Sequence, residues 1–148
     1  MNRHHLAFEE AAVNWENKMI TISDSNRILE HIKNDIGNIN VLPDVLHHLY
    51  LLLSNSKKSL SENIPENIVT MNSQIRLLSD NKQQQTIKIV FPEDVSEPGD
   101  ISVYSPLGVA CLGSEEKSFI CYYDGKGYTR VKIEKVIFQP EKEKLFYL

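Results

Sequence analysis

The sequence predicts an α+β protein: a short N-terminal antiparallel helical hairpin, then an antiparallel β domain holding one short helix. Three observations carry this. Apolar residues recur at helical spacing up to about residue 56. After Val69 the period drops to two. Within the second part a Ser-Pro step, Ser105-Pro106, stops a strand and opens a short apolar run.

The first helix has its apolar positions at Ile28, Leu29, Ile32 and Ile36, with Ser23 as the expected cap and Gly37 as the expected stop. The second starts near Pro43, where proline suits the first turn. Leu42, Val45, Leu46, Leu49, Tyr50, Leu52 and Leu53 give it an apolar face. Each helix has about 12 residues, so the hairpin is about 18 Å long. SNSKKSLSENIPENI, at 54–68, is rich in Ser, Asn and charge and reads as a linker. Ahead of Met19 a loose helix through Leu6, Phe8, Val13 and Trp15 is expected. The division is therefore an extension at 1–18, a helical hairpin at 19–56, a linker at 57–69 and a β domain at 70–148.

In the second part Ile75 and Leu77 alternate with Arg76 and Leu78, QQQ at 83–85 marks a turn, and Ile87, Ile89 and Phe91 alternate with Lys88 and Val90. Pro92 ends that strand and EPGD at 97–100 is a turn. A strand follows at 101–104, then the Ser-Pro helix, a strand at 119–123, a DGKG turn whose glycines supply positive φ, and a long strand at 128–138 with a bulge near Glu134. All these strands are expected to be antiparallel.

Hydrophobic residues make up 41% of the 148, charged residues 24%, and the formal net charge is −4. This suits one ordinary domain, or a small domain with an appendage. An acidic balance argues against a chain that wraps nucleic acid, and no direct nucleic-acid contact is expected. Cys111 and Cys121 read as buried thiols of a reducing compartment, with a disulfide as the alternative. No apolar run approaches the roughly 20 residues that span a bilayer, and the N-terminus lacks a signal-peptide core. A cytoplasmic location is expected.

Catalytic and metal motifs are thin. His4-His5 and His47-His48 are adjacent pairs, and helix neighbours diverge by about 100°. They read as solvated, and His31 with Asp35 as an exposed hydrogen-bonding pair. No HExxH or CxxC occurs. Ser105 is a natural N-cap, and no histidine follows His48 to serve a nucleophile. DGKG lacks the frame of a phosphate loop. Glu93, Asp94, Glu97, Asp100, Glu115 and Glu116 read as solvated loop carboxylates. No metal, cofactor or catalytic residue is expected.

VTMNSQIRL at 69–77, IVFPED at 89–94, ISVYSPLGVACLG at 101–113 and VIFQPE at 136–141 together resemble the Rnk family, regulators of nucleoside diphosphate kinase and relatives of the Gre transcript-cleavage factors. The likeness spans 19–141. It implies an FKBP-like β domain, a curved sheet around a short helix. It also implies RNA polymerase as partner, met at the rim of the secondary channel. By that likeness the Ser-Pro corner (Tyr104, Ser105, Pro106 and Leu107) is a docking apex. A helix cap explains the same residues by folding alone, and the two readings are compatible. The resemblance places the hairpin tip at Asp35, Asn38, Asn40 and Asp44. Two departures stand out. Tyr104 occupies a position where Gre factors tend to carry an acid, and the tip has no acidic cluster. Binding without transcript cleavage is the mode implied, with Gre-like cleavage through Asp35 and Asp44 as one alternative. Prolyl isomerisation is the other, opposed by a helix expected to fill the concave face with Leu107, Ala110 and Leu112.

Overall fold

The computed structural model describes residues 15–35 and 41–148. Leu6, Phe8 and Val13 of the expected loose helix, the stop at Gly37, and Asn38 and Asn40 lie outside the described residues, as does the side chain of Asp35.

Helix α1 spans Ile22–Asp35 and α2 spans Pro43–Asn55. Thr21, rather than Ser23, caps α1: its Oγ1 accepts from the Asp24 N–H at 2.9 Å. Ser23 lies one step inside, where its hydroxyl has passed the free N–H groups. Ile28 and Ile32 form the buried stripe of α1. Pro43 occupies the first turn of α2, as its fixed φ favours, and Val45, Leu49, Leu52 and Leu53 are buried. At the far end of α2, Lys58 Nζ donates to the Leu53 carbonyl at 2.5 Å, a cation meeting the negative end of a helix.

Part of the expected linker is ordered structure. Strand β1 (Met19–Thr21), leading into α1, pairs in parallel with β2 (Lys57–Ser59), leaving α2. The two helices are thus tied at their base.

Five further strands form one sheet: β3 (Gln74–Ser79), β4 (Gln84–Val90), β5 (Asp100–Ser102), β6 (Phe119–Tyr123) and β7 (Tyr128–Phe138), in the order β5-β4-β3-β7-β6. It is antiparallel except at one edge, where β5 runs parallel to β4. The connection from Phe91 to Gly99, with Pro92 unable to extend a ladder, is long enough to carry the chain back to the starting end. The β3–β4 turn falls at 80–83, with Lys82 at φ 69°, so Gln84 and Gln85 are strand residues. In DGKG only Gly125 has positive φ. The bulge near Glu134 is present: Arg76 pairs with Lys135 and Leu77 with Ile133, leaving Glu134 unmatched. A second irregularity leaves out Ile137.

Helix α3 (Pro106–Cys111) lies against the sheet, with every residue from Leu107 to Cys111 buried. Ile28 and Ile32, Leu49 and Leu52, Met71, the inward residues of β3, β4 and β7, and Leu112 form one cluster. The helical segment and the sheet therefore share a core. Both cysteines are free, Cys111 buried and Cys121 half-buried. Among the described residues, no helix is long and apolar enough to cross a membrane.

Candidate partner-binding surface

The Ser-Pro corner is built on one carbonyl. At the end of β5, Ser102 O accepts from the Ser105 N–H at 3.0 Å and from the Ser105 hydroxyl at 2.6 Å. The same hydroxyl oxygen accepts from the Gly108 N–H at 3.0 Å, the expected helix cap. Pro106 sits at the first helical position, where no hydrogen bond is forfeited. Gly108 is indispensable by distance: a Cβ there would lie 2.2 Å from Ser102 O. Sequence reading passed over Ser102 and Gly108, although a glycine two residues past a Ser-Pro helix start was a visible signal of close approach.

Tyr104 is half-buried, and its hydroxyl lies 2.8 Å from His31 Nδ1 on α1. His31 Nε2 meets both carboxylate oxygens of Glu93 at 2.8 Å, and the imidazole stacks on Phe91 at 4.8 Å between centroids. His31 thus reaches into the sheet domain, while the side chain of Asp35, its expected partner, lies outside the described residues. His48 is also half-buried rather than solvated and stacks on Trp15 at 6.3 Å, while His47 is exposed as expected. Two of the carboxylates expected to be solvated in loops hold backbone instead, and Asp100 belongs to β5. Asp100 accepts from the Ser96 and Glu97 N–H groups, and Glu116 from the Val136 N–H.

Beside the corner opens a groove of about 550 Å³. Leu42, Ile101, Ser105, Pro106, Leu107 and Tyr122 are among its lining residues, so both edge strands, β5 and β6, contribute. Leu107, Ala110 and Leu112 are buried as expected, yet this groove stays open. Leu42 is two residues from Asp44. Burial first, and the Asp44 carboxylate second, push the Tyr128 phenol above its usual range. The chain just before α2, expected at a hairpin tip, is therefore brought next to the Ser-Pro corner and the β6–β7 turn.

A second polar centre joins α1 to the sheet. Asp24, fully buried, accepts from Arg27 and from the Met71 N–H at 3.0 Å. Burial raises its carboxyl against these donors. Thr70 donates to Glu141 at 2.6 Å, Ser73 Oγ accepts from the Thr70 N–H, and Asn72 takes φ 66°. The TMNS stretch is a folded turn that buries its hydroxyls. Among the described residues, no group of three His, Cys, Asp or Glu could hold a metal ion.

The family pattern described as transcription elongation factor GreA/GreB, C-terminal, matches residues 64–138. No curated protein matches the chain. Of solved structures, a prokaryotic transcription elongation factor GreA/GreB from Nitrosomonas europaea superposes with a TM-score of 0.69 at 27% identity, covering 82% of this chain and 99% of that one. Two structures of the transcription factor Gfh1 are more distant. One has a TM-score of 0.45 at 15% identity, covering 82% of this chain and 97% of that one. The other, from Thermus thermophilus, has 0.41 at 14%, covering 78% and 96%.

Proposed function

This chain belongs to the GreA/GreB transcription elongation factor family, defined on the C-terminal domain, and from that premise we propose that it is a non-enzymatic, Rnk-like regulator of transcription. It binds bacterial RNA polymerase near the rim of the secondary channel and does not stimulate transcript cleavage. Any effect on nucleoside diphosphate kinase is indirect, through expression. The protein acts in the cytoplasm without a cofactor. The 70–148 unit is the FKBP-like docking domain, 19–56 the short helical unit (a minimal coiled coil), 57–69 their connection and 1–18 an extension.

The observation that carries this reading is the size and placement of the helical unit. Helices of 14 and 13 residues reach about 20 Å, and their apolar stripes are spent on the core shared with the sheet. Residues 36–43, IGNINVLP, contain no carboxylate. A factor that stimulates cleavage must deliver paired carboxylates to a metal, and only Asp35 and Asp44 flank this stretch. Such a protein occupies the channel entrance and competes with longer factors. The rigid corner at Ser105 and Pro106, with the groove beside it, supplies the docking surface.

The test is displacement of a labelled Gre factor from core RNA polymerase by the purified chain. Displacement that Pro106→Ala weakens supports occupancy through the corner. No displacement at large excess overturns it. Transcript cleavage by the unmodified protein, abolished by Asp35→Ala with Asp44→Ala, would establish the Gre-type alternative instead. Catalysis of peptide prolyl isomerisation would assign the groove to the third reading.

A further inference from the structure

We propose that the outer face of the five-stranded sheet binds single-stranded nucleic acid. The core takes Ile75, Leu77, Ile87, Ile89, Val131 and Ile133 from the sheet's inner face, so the alternate residues face outward. The register sets Phe119, Cys121 and Tyr123 of β6 beside Lys132, Arg130 and Tyr128 of β7. Arg76 of β3 and its partner Lys135, with Lys88 of β4, extend the same face.

Two large aromatic side chains are exposed there, Phe119 at 54% and Tyr123 at 37%. The Arg130 guanidinium carbon lies 4.6 Å from the Phe119 ring centroid and the Lys132 ammonium 5.7 Å from it. Tyr123 and Tyr128 meet edge to face at 5.6 Å. Carboxylates are present but fewer. Glu134 pairs with Arg76 at 3.2 Å, Asp80 with Arg130 at 3.3 Å, and Asp100 stands across from Lys88. Among the described residues, five cations against three carboxylates make this face basic within a chain of net charge −4. Charge averaged over the sequence, which argued against nucleic acid, conceals the segregation.

The chemistry selects the occupant. Lys132, Lys135 and Lys88 offer point charges to phosphates, and the edge N–H groups of Arg130 offer a further phosphate contact. The Phe119 ring under a planar guanidinium offers a stacking platform to any base. A duplex hides its base faces, and an acidic peptide would answer the cations but leave the rings unused. The binding needs no polymerase, so it stands or falls separately from the docking reading.

The probe is a fluorescein-labelled 12-mer of uridine, with its thymidine counterpart, titrated with the full chain by anisotropy over a series of salt concentrations. Saturable binding is expected, comparable for the two sugars because the platform reads base faces. Arg130→Gln with Lys132→Gln should weaken binding and reduce the log–log salt slope by about 1.4, two phosphate contacts at about 0.7 each. Phe119→Leu keeps an apolar residue at the position; it should cost about tenfold in affinity and leave the salt slope unchanged. Circular dichroism melts verify that both variants fold. No saturable binding, affinity untouched by both variants, equal binding of duplex, or displacement by polyglutamate as effective as by unlabelled 12-mer would each overturn the proposal. Failure here with Gre-factor displacement intact leaves polymerase docking standing.

Discussion

Ser102 O, one carbonyl oxygen, organises the corner that the resemblance singles out. It accepts twice from Ser105 and lies where a Gly108 side chain would have to go. A methyl 2.2 Å from a backbone oxygen forces β5 and α3 apart, since neither is the flexible end of a side chain. Gly108→Ala is expected to lower stability by about 2 to 3 kcal/mol, read as a shift in the urea midpoint. A variant within about 0.5 kcal/mol of the parent would mean that α3 slides freely on the sheet. Tyr104 illustrates the opposite case. Its position before Ser-Pro was legible as a departure from the Gre pattern, but its hydroxyl partner on α1 lies 73 positions away in the chain, and no local pattern encodes such a pairing.

At the level of elements, α3 is held at both ends by different chemistry. Ser105 caps its start. At its other end Lys18, buried, donates to Ala110 O at 2.5 Å and approaches Leu112 O at 3.5 Å. Burial lowers the Lys18 ammonium to about 8, against an opposing pull from Cys111. The folded chain therefore binds fewer protons than the unfolded chain between about 8 and the ordinary 10.5. Stability rises with pH across that window. Cys111 works in the other direction from about 9 upward. Burial pushes its thiol to about 12, so the unfolded thiol ionises first and stability falls. The unopposed window is from about 8 to 9. Unfolding free energy should increase by on the order of 1 kcal/mol between those values, and the increase should disappear in Lys18→Met. A flat profile in the parent chain would show that the ammonium reaches water. By sequence Lys18 falls in the extension at 1–18. A lone lysine carries no sign that a helix end 92 positions later will cover it.

For the molecule as a whole, the shared core makes the helical unit and the sheet one cooperative body. Trp15 packs beside α2 and reports on the helical side, while far-UV circular dichroism reports on helices and sheet together. Their urea transitions should coincide. Two separated transitions would mean that the helices dissociate from the sheet before it unfolds. Asp24→Ala strikes the junction directly. It leaves the Met71 N–H without its acceptor and the Arg27 guanidinium without its carboxylate. A loss of about 2 kcal/mol is expected, below the range for a fully buried pair because Arg27 is one third exposed. The two transitions should then begin to separate.

What the sequence by itself determined is what local physics controls. Helical and twofold periods place α1, α2, β6 and β7. Pro43 and Pro106 mark helix starts because proline has no N–H to lose there. The Ser105 cap follows from side-chain chemistry within a few residues, and the bulge at Glu134 from a slip in the alternation of the last strand. Only the tertiary structure decided the contacts between residues far apart in the chain. These are the parallel pairings of β1 with β2 and β4 with β5, the closure of Leu42 onto the Ser-Pro groove, and His31 against Tyr104. Each depends on which surfaces meet once the core has collapsed, and burial is non-directional. Periodicity can say which face of an element is apolar, but not which other apolar face will cover it.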